Sequence, residues 1–245
     1  MKRRKKILIG FVIAVLMLIV LGIVILNSRT YKPTTEALSF LNGSEDIEVT
    51  STQEYFRFHN KTEIFNKERA VIFYPGGLVE ASSYSRFCFE VTKNGSDCFI
   101  AKMPLNLAIF NINAASAIIQ EFPDVSNWSI GGHSLGGAMA CRYLNSANNS
   151  EITELYLLAS YCDQEVINQD IKIVSIVGTD DQVLNKQTYI DSKLNLGDSA
   201  IFVDIEGGNH SNFGDYGLQS GDGAAAITNE EQIRETVREI VNNQF

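Results

Sequence analysis

The sequence predicts an α/β fold in which a mostly parallel central sheet is flanked by helices, carries no large cap domain and is preceded by one transmembrane helix. From residue 70 onward, short apolar runs rich in β-branched residues alternate with stretches of helical periodicity, as in parallel sheets covered by helices. A glycine-rich segment, 131–137, joins one such run to a helix, and residues 7–26 form an unbroken apolar run. The 245 residues are enough for one sizeable domain plus an anchor.

The apolar run Ile7–Leu26 contains no charged residue. As a helix its 20 residues would be about 30 Å long, which matches the hydrocarbon thickness of a bilayer. Residues 2–6 are all Lys or Arg, so the positive-inside tendency predicts a cytoplasmic N-terminus and an extracytoplasmic main domain on a single-pass protein of the cell membrane. A cleaved signal peptide is the alternative, but it has a shorter apolar region followed by a cleavage site of small residues, whereas Asn27, Ser28 and Arg29 follow here.

We therefore divide the chain into a cytoplasmic basic tail (1–6), a transmembrane signal anchor (7–26), a linker (27–46) and an α/β domain (47–245). Five of the 20 Lys and Arg residues lie in the tail, whereas all 29 Asp and Glu residues follow the anchor. Such an acidic domain is a poor match for nucleic acid or anionic headgroups. We expect no nucleic-acid partner and a contact with the lipid bilayer through 7–26.

The cysteines are Cys88, Cys98, Cys141 and Cys162. Four cysteines allow three disulfide pairings, and buried free thiols are equally compatible with the sequence. Cys88 and Cys98 bracket one helix-to-strand connection and are the first pair to test. No C-x-x-C motif or His/Cys cluster occurs, so we expect no metal and no cofactor. The loop Asn212–Gly223 is glycine-rich and acidic, with Asp215 and Asp222; a structural loop is favoured there over a cation site.

The strands are predicted in two groups. The first group alternates as antiparallel strands do and comprises Ile47–Thr50 and Tyr55–Phe58. The second group consists of apolar runs suited to strands that are buried on both faces: Ala70–Tyr74, Cys98–Met103, Ser129–Ile130, Leu155–Ala159, Ile171–Val177 and Ile201–Ile205.

Helical periodicity fills the intervals between these strands. The predicted helices are Ser82–Lys93, Leu105–Glu121, Leu135–Ala147, Gln164–Asn168, Asn185–Ser192 and Glu230–Asn243. Only about a dozen residues separate the strand ending near Ala159 from the one starting near Ile171. A separate lid does not fit into that interval, so we expect an open site.

The segment Gly132-His-Ser-Leu-Gly136 has the pattern G-x-S-x-G between an apolar strand and an apolar helix. A sharp strand-to-helix turn lifts a serine hydroxyl clear of the backbone, and it requires small residues two positions away on either side. The start of the helix also directs unpaired N–H groups at the reacting oxygen. Ser134 is therefore the predicted nucleophile.

A nucleophilic serine requires a general base, and the chain contains three histidines. His133 adjoins the nucleophile and would point away from it around the turn, whereas His59 lies in the antiparallel strands. His210 follows the strand Ile201–Ile205 through a glycine-containing loop, at the carboxyl edge where ligands bind in such sheets. His210 is therefore the predicted base.

The base in turn requires an orienting carboxylate. Asp180 and Asp181 directly follow the strand Ile171–Val177 and its glycine. We assign Asp181, because the first position after the turn, Asp180, is more suited to cap the following helix. Asp180 and the earlier Asp163 stay open as alternatives.

The tetrahedral intermediate of acyl transfer needs backbone donors. One predicted donor is the N–H of Leu135, directly after the nucleophile. The other comes from the loop after the strand Ala70–Tyr74, where glycines let the backbone approach a ligand. We assign Gly77, with Leu78 as the alternative.

With these positions in place, the chain resembles the α/β-hydrolase superfamily, and more closely its bacterial dienelactone-hydrolase-like group, many members of which are membrane-anchored. The resemblance covers about residues 31–245, and in the group the acid is the Asp three residues after the glycine, as Asp181 is here. One departure is that true dienelactone hydrolases use a cysteine nucleophile, whereas this chain has Ser134, which favours ordinary ester hydrolysis over dienelactone as the substrate. The motifs that carry the resemblance are Tyr74–Gly77, Lys102–Asn106, Gly131–Ala140, Gly207–His210 and Phe213–Gly217.

The resemblance and the predicted triad imply a membrane-anchored extracytoplasmic serine hydrolase that cleaves carboxylic esters through an acyl-enzyme intermediate. The expected substrate is a small-molecule or cell-wall-attached acyl ester. An acyltransferase with the same triad is one alternative, because the sequence does not distinguish water from another acceptor. A binding protein that kept the fold and lost activity is the other.

Overall fold

The computed structural model describes residues 2–62, 68–146, 151–168 and 170–243, and it divides into two compact units. The first unit extends to Thr30 and the second begins at Tyr31. The first contains helix α1 (Lys2–Ser28). Its part Lys5–Ser28, with a mean hydropathy of 3.3, is long and apolar enough to cross a membrane, and it includes the predicted span 7–26.

The second unit is built on a central sheet to which the described residues contribute eight strands. Their order is β1-β2-β4-β3-β5-β6-β7-β8; β2 is antiparallel to β1 and β4, and the other neighbours are parallel. This topology confirms the predicted mostly parallel sheet. The strands are β1 (Ile47–Ser51), β2 (Tyr55–Asn60), β3 (Arg69–Tyr74), β4 (Asp97–Ala101), β5 (Asn127–His133), β6 (Ile152–Leu158), β7 (Lys172–Gly178) and β8 (Ile201–Ile205).

Helices lie on both faces of the sheet and account for the apolar character of its strands. The helices are α2 (Thr35–Ser39), α3 (Ser85–Lys93), α4 (Ala114–Glu121), α5 (Leu135–Ser146), α6 (Lys186–Ser192) and α7 (Asn229–Asn242). Ile72 of β3 belongs to the core that contains Ala140 of α5. The next residue, Phe73, belongs to the core on the other face, with Phe87 of α3 and Ile233 of α7. Alternate side chains of one strand are thus buried on opposite faces, which explains why the strand reads as a continuous apolar run.

Two predicted helices differ from the structure. The helix predicted over Leu105–Glu121 is interrupted, and only α4 is helical in its second half, because Leu105 and Asn106 both have φ of 54°. Tertiary contact stabilises this irregular backbone, since the Asn106 carbonyl accepts a hydrogen bond from Leu78 N–H at 2.8 Å. Residues 164–168 form no helix. The predicted end of α5 at Ala147 lies outside the described residues.

The segment 31–46, predicted as part of a linker, contains helix α2 and belongs to the second unit. Tyr31 N–H donates to the Leu78 carbonyl at 2.8 Å. The Thr34 hydroxyl donates to Asp215 Oδ1 at 2.7 Å, and Glu36 forms an ion pair with Arg86. The polar composition predicts a linker that merges into a surface helix, and α2 is such a helix. The contacts with distant residues, which the composition does not predict, fix the segment on the second unit.

Both cysteine pairs among the described residues are disulfides. Cys88 of α3 is joined to Cys98 of β4, the pair that the sequence singled out, with a Cα–Cα distance of 5.2 Å. Cys141 of α5 is joined to Cys162, which follows β6, with a Cα–Cα distance of 5.7 Å. Disulfides of this kind persist mainly in oxidising compartments. The second one ties α5 to the segment 159–171, which connects β6 to β7 and is too short for a cap domain.

Candidate active site

Ser134 lies in the sharp turn between β5 and α5. Its φ is 51°, in the left-handed region that costs a non-glycine residue energy and often marks functional positions. Ser134 N–H donates to the carbonyl of Leu158 at 2.9 Å, so the neighbouring strand β6 holds the turn in place. The Ser134 side chain lines a cavity at the carboxyl edge of the sheet, as expected for a ligand site in this architecture.

The two glycines of the G-x-S-x-G motif have no room for a side chain. A Cβ on Gly132 would lie 2.5 Å from the carbonyl carbon of Gly136. A Cβ on Gly136 would lie 2.1 Å from the oxygen of Tyr74 and 2.3 Å from that of Pro75. All of these atoms belong to backbone, which does not move aside as a flexible side chain does. The motif therefore reflects close contact between α5 and the loop after β3.

His210 and Asp181 are brought together by the loops that follow β8 and β7. His210 Nδ1 lies 2.8 Å from Asp181 Oδ2, and the two residues are only 1 % and 2 % exposed. A carboxylate accepts hydrogen bonds and donates none, so Nδ1 carries the proton and its N–H donates a hydrogen bond to Asp181 Oδ2. The lone pair of the neutral imidazole is then on Nε2.

The other oxygen of Asp181 accepts the N–H groups of Val183 and Leu184, each at 2.8 Å. The expectation that Asp180 caps the following helix is wrong. Asp181 binds the backbone of the following turn, and Asn185 caps α6. These bonds fix the carboxylate so that Oδ2 faces the imidazole.

Among the described residues, neither alternative carboxylate forms a hydrogen bond with His210. Asp180 contacts the His210 loop through its backbone, whose N–H donates to the carbonyl of Gly208 at 2.8 Å. Asp163 accepts hydrogen bonds from Arg142, which lower the pKa of its carboxyl group. The carboxylate that contacts His210 is therefore that of Asp181.

Ser134 and His210 line the same cavity, which has a volume of about 420 Å³. Within the described chain, His210 Nε2 is buried and has no hydrogen-bond partner, so the structure does not join it to the Ser134 hydroxyl. Such bonds are often long in unliganded enzymes and shorten when substrate binds. Apolar Leu135, Met139 and Val183 form part of the lining. The imidazole of His210 and Ser134, with its strained backbone, thus line one cavity of the size that small molecules occupy.

Backbone donors lie beside Ser134. Among the described residues, the N–H groups of Gly77 and Leu135 have no hydrogen-bond acceptor, whereas Leu78 N–H is paired with Asn106 and Gly76 N–H with the Tyr84 hydroxyl. A Cβ on Gly77 would lie 3.0 Å from Cδ2 of Leu135, so the two segments are in contact. Of the predicted donors, Gly77 and Leu135 are available and Leu78 is not.

Sequence reasoning missed the buried partners of the loop after β3. The Tyr84 hydroxyl accepts from Gly76 N–H at 2.9 Å and lies 2.8 Å from Nδ1 of His133. Burial lowers the pKa of His133 well below its usual value, and the nearby His210, with ring centroids 4.5 Å apart, lowers it further. His133 is therefore neutral and, through Tyr84, supports the Gly76–Gly77 loop. No sequence signal links Tyr84 to residue 133.

The depressed pKa of His133 predicts loss of stability in acid. As the pH falls, the histidine of the unfolded chain takes up a proton near pH 6.5, whereas the buried imidazole of the folded chain does so only at lower pH. The free energy of unfolding that depends on neutral His133 is therefore fully present above about pH 6.5 and is lost as the pH falls below it. The slope is at most about 1.4 kcal/mol per pH unit. We expect urea unfolding of the full chain in detergent to show a smaller loss between pH 7.5 and pH 5.5 in His133→Asn than in the wild type. Equal losses would contradict the assignment.

Comparisons with known proteins agree with this architecture. A model described as the alpha/beta hydrolase family matches residues 70–234, whereas no curated protein sequence matches. A monoacylglycerol lipase of Paleococcus ferrophilus is similar in structure, with a TM-score of 0.59 and 12% identity over 80% of this chain and 100% of that one.

Two further solved structures are similar at the same level. An esterase/lipase from an uncultured bacterium gives a TM-score of 0.56 and 13% identity over 91% of this chain and 97% of that one. Carboxyl esterase 2 of the mycorrhizal fungus Tuber melanosporum gives a TM-score of 0.58 and 11% identity over 83% of this chain and 90% of that one. At such identities the structures show a shared fold alone. The family match spans most of the sheet and the strand-turn-helix unit around Ser134, and it shows that the chain belongs to the alpha/beta hydrolase family.

Proposed function

We propose that the chain is a serine hydrolase that cleaves carboxylic esters through an acyl-enzyme intermediate, with Ser134, His210 and Asp181 as its triad. The observation that carries the proposal is the hydrogen-bonded pair of His210 and Asp181, 2.8 Å apart, which shares a cavity with the strained Ser134. A nucleophile beside a base that is oriented by a third group is the arrangement that acyl transfer requires.

The reaction begins when His210 Nε2 takes the hydroxyl proton of Ser134 while Oγ forms a bond to the ester carbonyl carbon. The carbonyl oxygen becomes an oxyanion, which accepts hydrogen bonds from the N–H groups of Leu135 and Gly77. The imidazolium then gives its proton to the leaving alkoxide as the C–O bond breaks. His210 then takes a proton from a water molecule as the water oxygen attacks the acyl carbon. The bond between the acyl carbon and Ser134 Oγ breaks, the imidazolium returns its proton to Oγ, and the carboxylic acid is released.

Asp181 orients the base in this scheme. It keeps the Nδ1 proton of His210 in place, which leaves Nε2 free to accept, and it stabilises the imidazolium that forms in the transition state. Its own orientation is fixed by Val183 and Leu184. Because the pair is buried, dissolved salt screens the interaction between its two side chains less than it would screen a pair at the surface.

The substrate we propose is a small-molecule or cell-wall-attached acyl ester. The cavity of about 420 Å³ falls in the usual range for small-molecule sites, and the short β6–β7 connection leaves it without a lid domain. The similar structures named above, a monoacylglycerol lipase and esterases, are consistent with ester chemistry.

We further propose that the enzyme is anchored in the cell membrane by residues 7–26, with its N-terminus in the cytoplasm and its catalytic domain outside. The basic residues 2–6 support this orientation. The pairs Cys88–Cys98 and Cys141–Cys162 support an oxidising location for the catalytic domain.

The proposal is tested on the full chain in detergent with a fluorophosphonate probe and a panel of p-nitrophenyl esters of graded acyl length. We expect covalent labelling of the peptide that contains Ser134 and release of p-nitrophenol, with the acyl length of highest kcat/KM identifying the substrate class. Adding alcohols or amines distinguishes transfer from hydrolysis, because an acyltransferase would form the new ester or amide in preference to the free acid. Folded protein that neither labels at Ser134 nor consumes any ester would contradict the proposal.

A further inference from the structure

The acidic loop between Phe213 and α7 contains a carboxylate, that of Asp222, which contacts both loops of the proposed base and acid. Oδ2 accepts the N–H and the hydroxyl of Ser211, at 2.8 and 2.6 Å. Oδ1 accepts the N–H of His210 at 3.3 Å and that of Gln182, next to Asp181, also at 3.3 Å. It further accepts the N–H of Gly223 at 2.8 Å. One side chain thus joins residues on either side of the His210–Asp181 pair.

We propose that Asp222 is a positioning residue for the hydrolysis described above, holding the loop of His210 and the loop of Asp181 in register. The proposal rests on the proposed function for its effect on turnover. Asp222 does not line the cavity of Ser134 and His210; it acts through backbone N–H groups and the Ser211 hydroxyl.

A carboxylate suits this position because the groups that form hydrogen bonds with it are all donors. An ionised Asp accepts at both oxygens, and hydrogen bonds to a charged acceptor are shorter and stronger than neutral ones. The side chain of an isosteric asparagine would direct an NH2 group at one set of these donors and leave them unpaired, which is costly in a partly buried site. The arrangement therefore selects charge as well as shape.

Gly223, the residue after Asp222, also contacts both loops. Gly223 lies so close to the acid loop that a Cβ there would be 2.0 Å from the carbonyl oxygen of Asp180. Its own carbonyl accepts from Asn209 Nδ2 at 2.7 Å, on the base loop. The two loops also meet directly through their backbones, where Asp180 N–H donates to the Gly208 carbonyl. Asp222 and Gly223 thus contact both loops and oppose a shift of one relative to the other.

The orientation of the pair matters because acyl transfer is sensitive to small displacements. A misplacement of about 1 Å can cost about a hundredfold in rate. Without the Asp222 hydrogen bonds, His210 Nε2 shifts relative to the Ser134 hydroxyl. Most residues that line the cavity, such as Leu135, Met139 and Ser160, lie outside the two loops and stay in place. The effect therefore falls mainly on kcat.

The test compares Asp222→Asn with Asp215→Asn in the full chain. Asp215 is a matched control because it lies in the same loop and its carboxylate accepts hydrogen bonds from Thr34 and Arg86, neither of which belongs to the loop of His210 or that of Asp181. For Asp222→Asn we expect kcat about tenfold to a hundredfold lower, with KM within about twofold. Hydrogen exchange at the amides of Gln182, His210 and Ser211 should accelerate. For Asp215→Asn we expect a lower melting temperature without either change.

A kcat for Asp222→Asn within about twofold of the wild type, or equal losses in both variants, would overturn the proposal. If Asp222→Asn fails to fold, Ser211→Ala tests the same contact: it removes the hydroxyl bond to Asp222, together with the hydrogen bond that this hydroxyl accepts from Gln219 N–H. A drop in kcat at constant KM is again expected, and unchanged turnover overturns the proposal. If the wild type hydrolyses no ester, the proposed function fails, while faster exchange at Gln182 and His210 confined to Asp222→Asn still shows that Asp222 joins the loops. Unchanged hydrogen exchange at these amides would show that Asp222 does not hold the two loops together.

Discussion

Replacing Ser134 with alanine is expected to lower kcat for ester hydrolysis by about a millionfold, to the level that binding and backbone donors alone provide. The substitution removes the only atom that forms the acyl-enzyme bond in the proposed mechanism. Fluorophosphonate labelling and release of p-nitrophenol are the two measurements, and both should be lost together. Stability should change little, because alanine removes one oxygen and relieves none of the turn's backbone contacts.

The matched control is Ser126→Ala, which lies directly before the opposite end of β5. It should leave labelling and turnover as in the wild type. Ester hydrolysis that survives in Ser134→Ala would contradict the acyl-enzyme mechanism and favour a reaction with another nucleophile.

Replacing His210 with alanine is expected to lower kcat to nearly the same extent, because a serine without its base is barely nucleophilic. The double variant Ser134→Ala/His210→Ala should be no slower than either single variant, since the two residues act as one unit. The single variant His210→Ala also leaves Asp181 Oδ2 without its buried partner, which costs about 1–3 kcal/mol of stability. Turnover with the ester panel and urea unfolding measure the two effects.

A second histidine–aspartate pair provides a control for the loss of stability. His59 Nδ1 lies 2.8 Å from Asp97 Oδ1, the same distance as in the proposed catalytic pair, but on β2 and β4 and away from the cavity. His59→Ala should destabilise the chain and leave kcat unchanged. Equal activity losses in both histidine variants would mean that unfolding, and not the missing base, explains the result for His210.

The turn around Ser134 could be predicted from the sequence because its requirements are local. The turn needs glycine at 132 and 136, a strand before it and a helix after it, and all of these lie within about twenty residues. Gly77 and Leu135 could be proposed in the same way, since glycines and helix starts mark exposed backbone N–H groups. Chain order also predicted that a carboxylate after β7 would lie near the loop of His210, because parallel strands bring their carboxyl ends to one edge.

Other features depended on contacts between distant residues. The break at Leu105 and Asn106 interrupts a segment with helical periodicity, and it is held by Leu78 of another loop. The rule used to choose between Asp180 and Asp181 assigned the turn-capping role to the wrong carboxylate, because side-chain direction after a strand is set by the neighbouring loop. Tyr84, which supports the Gly76–Gly77 loop through its hydroxyl, carries no local signature at all.

The sequence by itself determined the parallel sheet, the apolar N-terminal helix and the serine turn, because hydrophobic periodicity and glycine sterics act over a few residues. Only the tertiary structure decided which carboxylate faces His210, which backbone N–H groups stay unpaired and how Asp222 spans two loops. Hydrogen bonds form only between groups within about 3 Å of each other, and for residues separated by dozens of positions that distance is set by the packing of the whole sheet.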